Sequence, residues 1–180
     1  MALTQTEAEV QKAINDVEGK GWAVYFDDTY TVGSPLSVTA AGGNVRLECD
    51  GAGSNTVTSE LPDGVVALWD TTDDFVIGNN IGDSLDVRID FKAKNTNLTG
   101  SFDILFDIGA PSGVVVTART YSFPKGDDTE VQFSIGVPLF SMATFIANGC
   151  KVYIDSIVGD TTIYDISIFI KRDYVGTGVA

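Results

Sequence analysis

Hydrophobic and polar residues alternate along two neighbouring segments within residues 84–108. In the first segment the apolar residues share one parity and the charged residues the other; the apolar set is Leu85, Val87, Ile89 and Phe91. In the second segment the apolar set is Phe102, Ile104, Phe106 and Ile108. The polar turn 95–97, closed by Gly100, joins the two. A period of two indicates strands with one wet face, so this region predicts an antiparallel pair with a common apolar face.

The same pattern recurs along most of the chain and predicts an all-β protein. The other predicted strands are 22–30, 36–40, 45–49, 56–59, 65–69, 114–123, 130–137, 150–157 and 162–171. Turn-forming residues separate them, and Asn148-Gly149 is the strongest tight-turn signal. A second sheet is the natural cover for the apolar face. Residues 21–180 are therefore expected to form one β-sandwich domain, with a jelly roll favoured over an immunoglobulin-like topology.

Residues 1–20 differ from the rest, because their pattern predicts a short α-helix. Thr6 and Glu9 have the spacing of a capping box, and Gly19 stands where a helix would end. The helix would present a narrow apolar stripe made of Leu3, Val10, Ile14 and Val17. Two interpretations remain open: a helix that lies on the sandwich, and an arm or short stalk that docks on a partner.

Several strands carry apolar residues on the face that their neighbours leave polar. The clearest cases are Leu105, Val115, Ile163 and Phe169. A monomer would leave such side chains in water, so the pattern predicts an oligomer interface at these four positions. The alternative is that an N-terminal segment or a loop of the same chain covers them.

Composition narrows the range of functions. The 180 residues include 25 acidic and 11 basic ones, which gives a formal net charge of −14. Such a surface repels phosphate, so nucleic acid is a poor partner. The chain contains no histidine, which removes Ser-His-Asp triads and His-ligated zinc. The apolar runs are too short for a membrane span and the start lacks a signal-peptide pattern, so synthesis and folding in a cytoplasm are expected.

Three local patterns could carry chemistry, and each has a plainer interpretation. Cys49 and Cys150 occupy core-parity positions and are interpreted as two buried thiols, with a disulfide left open. The Asp-rich run 70–74 could bind calcium, although a solvated turn is favoured. Surface aromatics headed by Trp22 and Trp69 could stack on sugars, but both tryptophans fit the core better. Paired carboxylates could hydrolyse glycosides, yet the sequence shows no such constellation.

Some stretches do resemble known proteins. They are the opening Leu3-Thr4-Gln5-Thr6-Glu7, the run Val65-Val66-Ala67-Leu68-Trp69-Asp70, the strand from Leu85 to Phe91, and the closing stretch from Val137-Pro138-Leu139-Phe140 to Ile168-Phe169-Ile170. Together they resemble small β-rich virion proteins of tailed bacteriophages, the TNF/C1q-like jelly rolls used as trimeric capsid decoration (cement) proteins or as fibre heads. The similarity covers most of the chain as a pattern and contains no diagnostic residue.

The resemblance implies a non-enzymatic, cofactor-free homotrimer that binds the major capsid protein on the outer head surface. The protein would be located in the virion, and the arm that docks on the capsid would carry the stripe Leu3, Val10, Ile14 and Val17. The alternative is a receptor- or glycan-binding tip on a tail or head fibre. A third hypothesis, a carboxylate hydrolase, would require a cleft in which two acidic side chains face each other.

Overall fold

The fold was analysed in a computed structural model, which describes residues 6, 7, 9, 10, 13, 14, 19–109, 115–124 and 128–176, with the backbone alone for 115–118. The described residues form eleven strands and, between the ninth and tenth, the helix Ala143–Asn148. The strands are β1 (Gly21–Phe26), β2 (Leu36–Val38), β3 (Val45–Arg46), β4 (Trp69–Asp70), β5 (Phe75–Val76), β6 (Ser84–Asn95), β7 (Ser101–Asp107), β8 (Val115–Ser122), β9 (Val131–Phe140), β10 (Cys150–Val158) and β11 (Thr161–Tyr174).

The strands form two antiparallel sheets that pack face to face. The five-stranded sheet has the order β1-β11-β6-β9, and β2 also pairs with β11. The six-stranded sheet has the order β4-β5-β10-β7-β8, and β3 also pairs with β10. Most neighbours are distant in sequence, as in a jelly roll. The predicted all-β jelly-roll sandwich is thus confirmed. None of the described helical residues belongs to a helix long and apolar enough to cross a bilayer.

The pairing predicted for residues 84–108 is wrong, although the parity of its apolar residues is right. β6 lies in the five-stranded sheet between β11 and β9, whereas β7 lies in the six-stranded sheet between β10 and β8. The turn after Asn95 therefore carries the chain from one sheet to the other. The apolar residues of both strands meet across the core, where the rings of Phe91 and Phe102 are 5.9 Å apart.

An aromatic cluster fills one part of the core. Phe102 lies at its centre, and its partners are Phe91, Tyr121, Phe123 and Phe133. The Phe102 and Phe133 rings meet edge to face at 4.9 Å with an interplanar angle of 86°, a favourable geometry for aromatic pairs. Because the cluster joins strands of both sheets, it fixes how the sheets face each other.

One prediction about β11 is corrected by a β-bulge. Tyr164 pairs with Lys92 and Ser167 with Asp90, so β11 has one residue more than β6 at this point. Asp165 takes up the extra residue with a positive φ of 53°. The bulge reverses the inward parity, so Ile163 before it points into the core and is fully buried. The prediction that Ile163 belongs to an exposed interface is therefore wrong.

Three further differences from the predicted elements are local. The tight turn expected at Asn148-Gly149 is instead the end of the Ala143–Asn148 helix, and Gly149 has the left-handed φ of 68° common at such ends. The predicted strand 56–59 is reduced to one bridge between Val57 and Val24. The two-residue strand β5 was not predicted.

The two cysteines are free and buried, as the favoured interpretation expected. Burial raises the pKa of the Cys49 thiol and of the Cys150 thiol to about 12, so both remain protonated at neutral pH.

The described part of the N-terminal region begins with the expected capping box. Glu9 Oε2 accepts hydrogen bonds from the Thr6 N–H at 2.7 Å and from its hydroxyl at 3.0 Å. In return the Glu9 N–H donates to Thr6 Oγ1 at 3.3 Å. Val10 and Ile14 follow in helical conformation and are 43% and 48% exposed. At these positions the helix is not covered by the sandwich. Leu3 and Val17 lie outside the described residues.

Asn95 ties together the loops at one end of the sandwich, so its loss should be costly. Its buried amide donates to the Val158 carbonyl and to Thr161 Oγ1, both at 2.9 Å, and its oxygen accepts the Asn97 N–H at 2.8 Å. In Asn95→Ala these groups lose their partner. We expect a loss of about 1–3 kcal/mol in the free energy of unfolding, measured by urea denaturation. The exposed Asn97→Ala is the matched control, and an equal loss there would contradict the assignment.

Candidate functional site

The surface with the strongest functional signal is the side of the five-stranded sheet that points away from the core, here called the outer face. Its side chains alternate with buried ones along each strand. The outer face comprises Trp22, Val24 and Phe26 of β1, Phe169, Lys171 and Asp173 of β11, Asp86, Arg88, Asp90, Lys92 and Lys94 of β6, and Gln132, Ser134, Gly136, Pro138 and Phe140 of β9.

Aromatic side chains mark one half of the outer face. The rings of Trp22 and Phe169 lie 5.8 Å apart across the β1–β11 pair. The Arg88 guanidinium lies 5.2 Å from the centre of the Phe169 ring, within cation–π range. Trp22, Val24, Phe26 and Phe169 are all only partly buried. Such a partly wetted aromatic and arginine cluster has the composition that protein interfaces favour.

A shallow groove of about 230 Å³ crosses the outer face beside this cluster. Phe169 and Arg88 form one wall and Pro138 the other. The groove exists because Gly136 has no side chain: a Cβ placed there would meet nothing within 4 Å. Glycine inside a strand weakens it, and one accepted reason is the close approach of another backbone or ligand.

Charges on the outer face are almost balanced, in contrast to the rest of the chain. Arg88 Nε lies 2.8 Å from Asp90 Oδ2, and Lys92 Nζ lies 3.0 Å from Asp165 Oδ2. The carboxylates around Lys92, first Asp165, raise the pKa of its ammonium. Because the whole chain has a formal net charge of −14, copies repel each other, and a face with nearly balanced charge adds little to that repulsion.

Two carboxyl groups of the outer face lie near Lys171: Asp86 is its partner in the β6–β11 register, and Asp173 forms an ion pair with it. The hydrogen bond with Asp173 raises the pKa of Asp86, and partial burial raises it further. Burial also favours the neutral form of Asp173, but its hydrogen bonds with Lys171 and Asp86 lower its pKa overall. Lys171 Nζ lies 2.5 Å from Asp173 Oδ1.

The four positions predicted to form an interface do not share a surface. Phe169 lies on the outer face, whereas Leu105 is a partly buried residue of β7 in the six-stranded sheet. Val115 begins β8 in that same sheet, and its side chain lies outside the described residues. Ile163 is in the core. Only Phe169 is therefore part of the candidate site.

Sequence reasoning missed Trp22 and Gly136. Trp22 was assigned to the core, but Gly21, Ala23 and Tyr25 take the inward positions of β1 and leave Trp22 outside. The signal was available, because apolar residues occupy both parities there. Gly136 stands at a polar-parity position in the middle of a strand, where a glycine is itself a signal. Trp69 is buried as expected, and its indole N–H donates to the Cys49 carbonyl at 2.9 Å.

The acidic run 70–74 forms a capped turn. Asp70 Oδ1 accepts the N–H groups of Thr72 and Asp73 at 2.9 Å each, and Asp74 Oδ1 accepts the Cys49 N–H at 2.9 Å. No group of three or more His, Cys, Asp or Glu within the described ranges could hold a metal ion. The adjoining acidic hollow of about 100 Å³ is smaller than the roughly 300–1,000 Å³ of ordinary ligand sites.

This acidic hollow should make the protein more stable in mild acid than at neutral pH. Burial raises the pKa of Asp27 and of Asp74, although backbone N–H groups oppose the shift. A folded-state pKa above the unfolded one contributes stability that is present at low pH and lost as pH rises through the folded value. We expect the urea midpoint to be higher at about pH 5 than at about pH 7.5.

The variant Asp74→Asn tests this origin. Asparagine keeps an acceptor for the Cys49 N–H and tolerates the positive φ of 45° at this position. It should raise the midpoint near pH 7.5 and leave the midpoint near pH 5 almost unchanged. Asp63→Asn, at an exposed position, is the control. If Asp74→Asn shifted the urea midpoint equally at both pH values, its effect would not come from the loss of the Asp74 charge.

Comparisons with known proteins agree with the fold. No family model and no curated protein matches the chain. Among solved structures, Eiger TNF from S. frugiperda shares 14% identity over 90% of this chain and 98% of its own, with a TM-score of 0.52. The PRD1 vertex protein P5 shares 15% over 86% and 96%, with a TM-score of 0.41. The enzymatically active domain of bacteriophage CBA120 tailspike protein 4 shares 16% over 86% and 20%, with a TM-score of 0.34. The first overlap supports the jelly-roll fold.

Proposed function

We propose that this chain is a non-enzymatic structural protein of a virus particle, a homotrimer that decorates the outer head surface of a tailed bacteriophage. The observation that carries the proposal is the outer face, with its partly wetted aromatic cluster, its open groove at Gly136 and its nearly balanced charge. The location in the virion and the trimeric state are inferred from the resemblance of the sequence to phage decoration proteins. The TNF-like jelly roll is the fold expected of that class.

The outer face offers an area of the same order as a subunit interface. Its four strands lie about 4.8 Å apart, and the ten residues of β9 extend about 33 Å. The face therefore offers on the order of 600 Å², compared with the roughly 800 Å² that each partner contributes to a standard two-subunit interface. Trp22, Phe169 and Arg88 are of the residue types that dominate binding energy in such interfaces. In the proposed trimer each subunit presents this face to its neighbours around one axis.

The N-terminal helix is proposed as the contact with the major capsid protein. Val10 and Ile14 are one helical turn apart, lie on the same side of the helix, and are about half exposed. Leu3 and Val17 extend that stripe in the sequence. An exposed apolar stripe on a short amphipathic helix suits docking into a groove of a partner.

The first half of the proposal is tested by the mass of the purified chain in solution. Size-exclusion chromatography with light scattering at micromolar concentration should give three times the 19.1 kDa of one chain. Removing residues 1–18 should still give three times the mass of the shortened chain, because the association is assigned to the sandwich. A monomer at these concentrations would contradict the homotrimer.

The second half is tested on the particle. Electron microscopy of the virion should show density for this chain on the outer head surface, in groups of three, with the N-terminal helix against the shell. Density at the end of a tail or head fibre, together with binding on a glycan array, would overturn decoration and identify a receptor-binding tip instead.

A further inference from the structure

Exposed apolar side chains are concentrated at one end of the sandwich. Ser84 at the start of β6 pairs with Phe140 at the end of β9 and with Tyr174 at the end of β11, so these strand ends meet there. The helix Ala143–Asn148 follows soon after β9. Four of the ten exposed large apolar side chains among the described residues lie at this end: Phe140, Met142, Ile146 and Tyr174. A patch of this kind marks an interaction site.

A cavity of about 370 Å³ lies beside this patch. Val66, which is 93% exposed, is part of its wall, and Ile77 and Asn79 also line it. Between those two, Gly78 lies so close to the helix that a Cβ there would be 2.9 Å from Ile146 Cδ1. The volume is within the roughly 300–1,000 Å³ of ordinary binding sites. The cavity and the neighbouring helix form one surface, here called the end surface, which comprises residues 64–67, 77–79 and 141–149.

The end surface contains no charged residue, although 20% of the residues in the whole chain are charged. Residues 131–150 include no Asp, Glu, Lys or Arg, and neither do residues 64–69 or 75–82. Among the described residues that line the cavity, only Asp70 is charged. The buried cores of protein interfaces are depleted in charged residues and enriched in aromatic residues and Met. The partner that fits here is therefore apolar and uncharged where it touches the end surface.

The N-terminal helix joins the sandwich at the same end. Gly19 lies against Val175, just after β11, and a Cβ on this glycine would be 2.7 Å from Val175 Cγ2. Gly21, the first residue of β1, pairs with Arg172 near the end of β11. The exposed apolar stripe of that helix is the proposed contact with the major capsid protein. A protein that binds the helix therefore lies next to the end surface.

We propose that the end surface is a second docking site for the major capsid protein, where an uncharged loop of that protein inserts an apolar side chain into the cavity beside Val66. An apolar anchor in such a pocket is the usual centre of binding energy in an interface. The inference rests on the proposed function, because it requires the chain to sit on the viral shell. A second copy fits less well, since self-association is assigned to the outer face.

The test measures binding of the full chain to phage heads assembled without it, by counting the copies that sediment with the heads at increasing protein concentration. Two separate variants, Val66→Glu and Met142→Glu, place a carboxylate on the end surface at exposed positions. Val32→Glu is the matched control, because Val32 is a valine, 67% exposed, that lies in the Thr31–Ser34 turn after the other end of β1. Light scattering checks that every variant keeps the mass of the wild-type protein.

We expect Val66→Glu and Met142→Glu each to bind the heads at least about tenfold more weakly than the wild type, because docking would bury an unpaired carboxylate. Val32→Glu should bind within about twofold of the wild type.

The outcomes separate this inference from the function on which it rests. If the wild type bound the heads and Val66→Glu bound them as tightly as Val32→Glu, the docking site would be refuted and the proposed function would stand. If the wild type did not bind the heads, the proposed function would fail, and the inference with it. If Val66→Glu and Met142→Glu lost the mass of the wild-type assembly, the occupant of the end surface would be a second copy, which would also overturn the inference.

Discussion

Replacing Asp83 by alanine is expected to lower the free energy of unfolding by about 3–5 kcal/mol. Asp83 is fully buried, and its Oδ1 accepts from Arg172 Nη2 at 3.1 Å and from the Gly176 N–H at 2.8 Å. Its Oδ2 accepts the Asn80 N–H at 2.9 Å. The alanine variant leaves a buried guanidinium without its carboxylate, which is the costly way to break a buried ion pair.

Urea denaturation followed by tryptophan fluorescence measures this loss. Asp63→Ala, at an exposed position, is the control and should change stability by less than about 0.5 kcal/mol. The double variant Asp83→Ala with Arg172→Met removes both charges and should recover part of the loss. If Asp83→Ala were as mild as Asp63→Ala, the buried pair would not be what holds this end of the sandwich.

Asp83 matters for the proposed surface as well as for stability. It stands just before β6, and Arg172 lies near the end of β11, so their contact joins the two strands that carry Asp86 and Asp173. Gly176 is held so closely against Ile81 that a Cβ there would collide with its carbonyl. This end of the outer face is therefore built on a rigid support.

Replacing Gly136 by glutamate is expected to weaken self-association at least about 100-fold while the monomer stays folded. A Cβ at this position would meet no atom within 4 Å, and any residue other than glycine stiffens the unfolded chain. In the trimer the same side chain would fill the groove and bury an unpaired carboxylate. Sedimentation velocity gives the association constant, and urea denaturation checks the fold.

Gly33→Glu is the matched control for this experiment. Gly33 is exposed in a loop far in sequence from the outer face, and a Cβ there would meet only Thr31 Oγ1 at 3.9 Å. The control adds the same charge to the same acidic chain, so it accounts for general repulsion. Equal loss of association in both variants would remove the groove from the interface.

The sequence was sufficient to predict which residues point inward along β6 and β7, since alternation is a local property of a strand. It could not predict their partners. Phe91 and Phe102 lie in different sheets and meet across the core, and neither sheet pairing is encoded within the segment that contains them. The tight-turn signal at Asn148-Gly149 located a chain reversal correctly but could not distinguish a hairpin from the end of a short helix.

The candidate site was less predictable, because it depends on departures from regular alternation. Because of the bulge at Asp165, Ile163 points into the core. The bulge is recognised from the positive φ of Asp165, which the hydrophobic pattern does not show. The sequence predicts Trp22 in the core because it lies in an apolar strand. The outward position of Phe169 could be predicted, because Phe169 lies after the bulge, where the alternation with Ile166, Ile168 and Ile170 is regular. The groove at Gly136 arises from a missing side chain, which hydrophobic patterning does not register.

The most direct test of the central claim is hydroxyl-radical footprinting of the wild-type chain below and above its association range, with the mass recorded in the same samples. The account predicts that oxidation of Trp22 and Phe169 falls as the mass rises, whereas Val66, which is 93% exposed in the segment before β4 of the other sheet, is oxidised equally in both. A rise in mass with unchanged oxidation of Trp22 and Phe169 would show that the copies meet elsewhere and would contradict it.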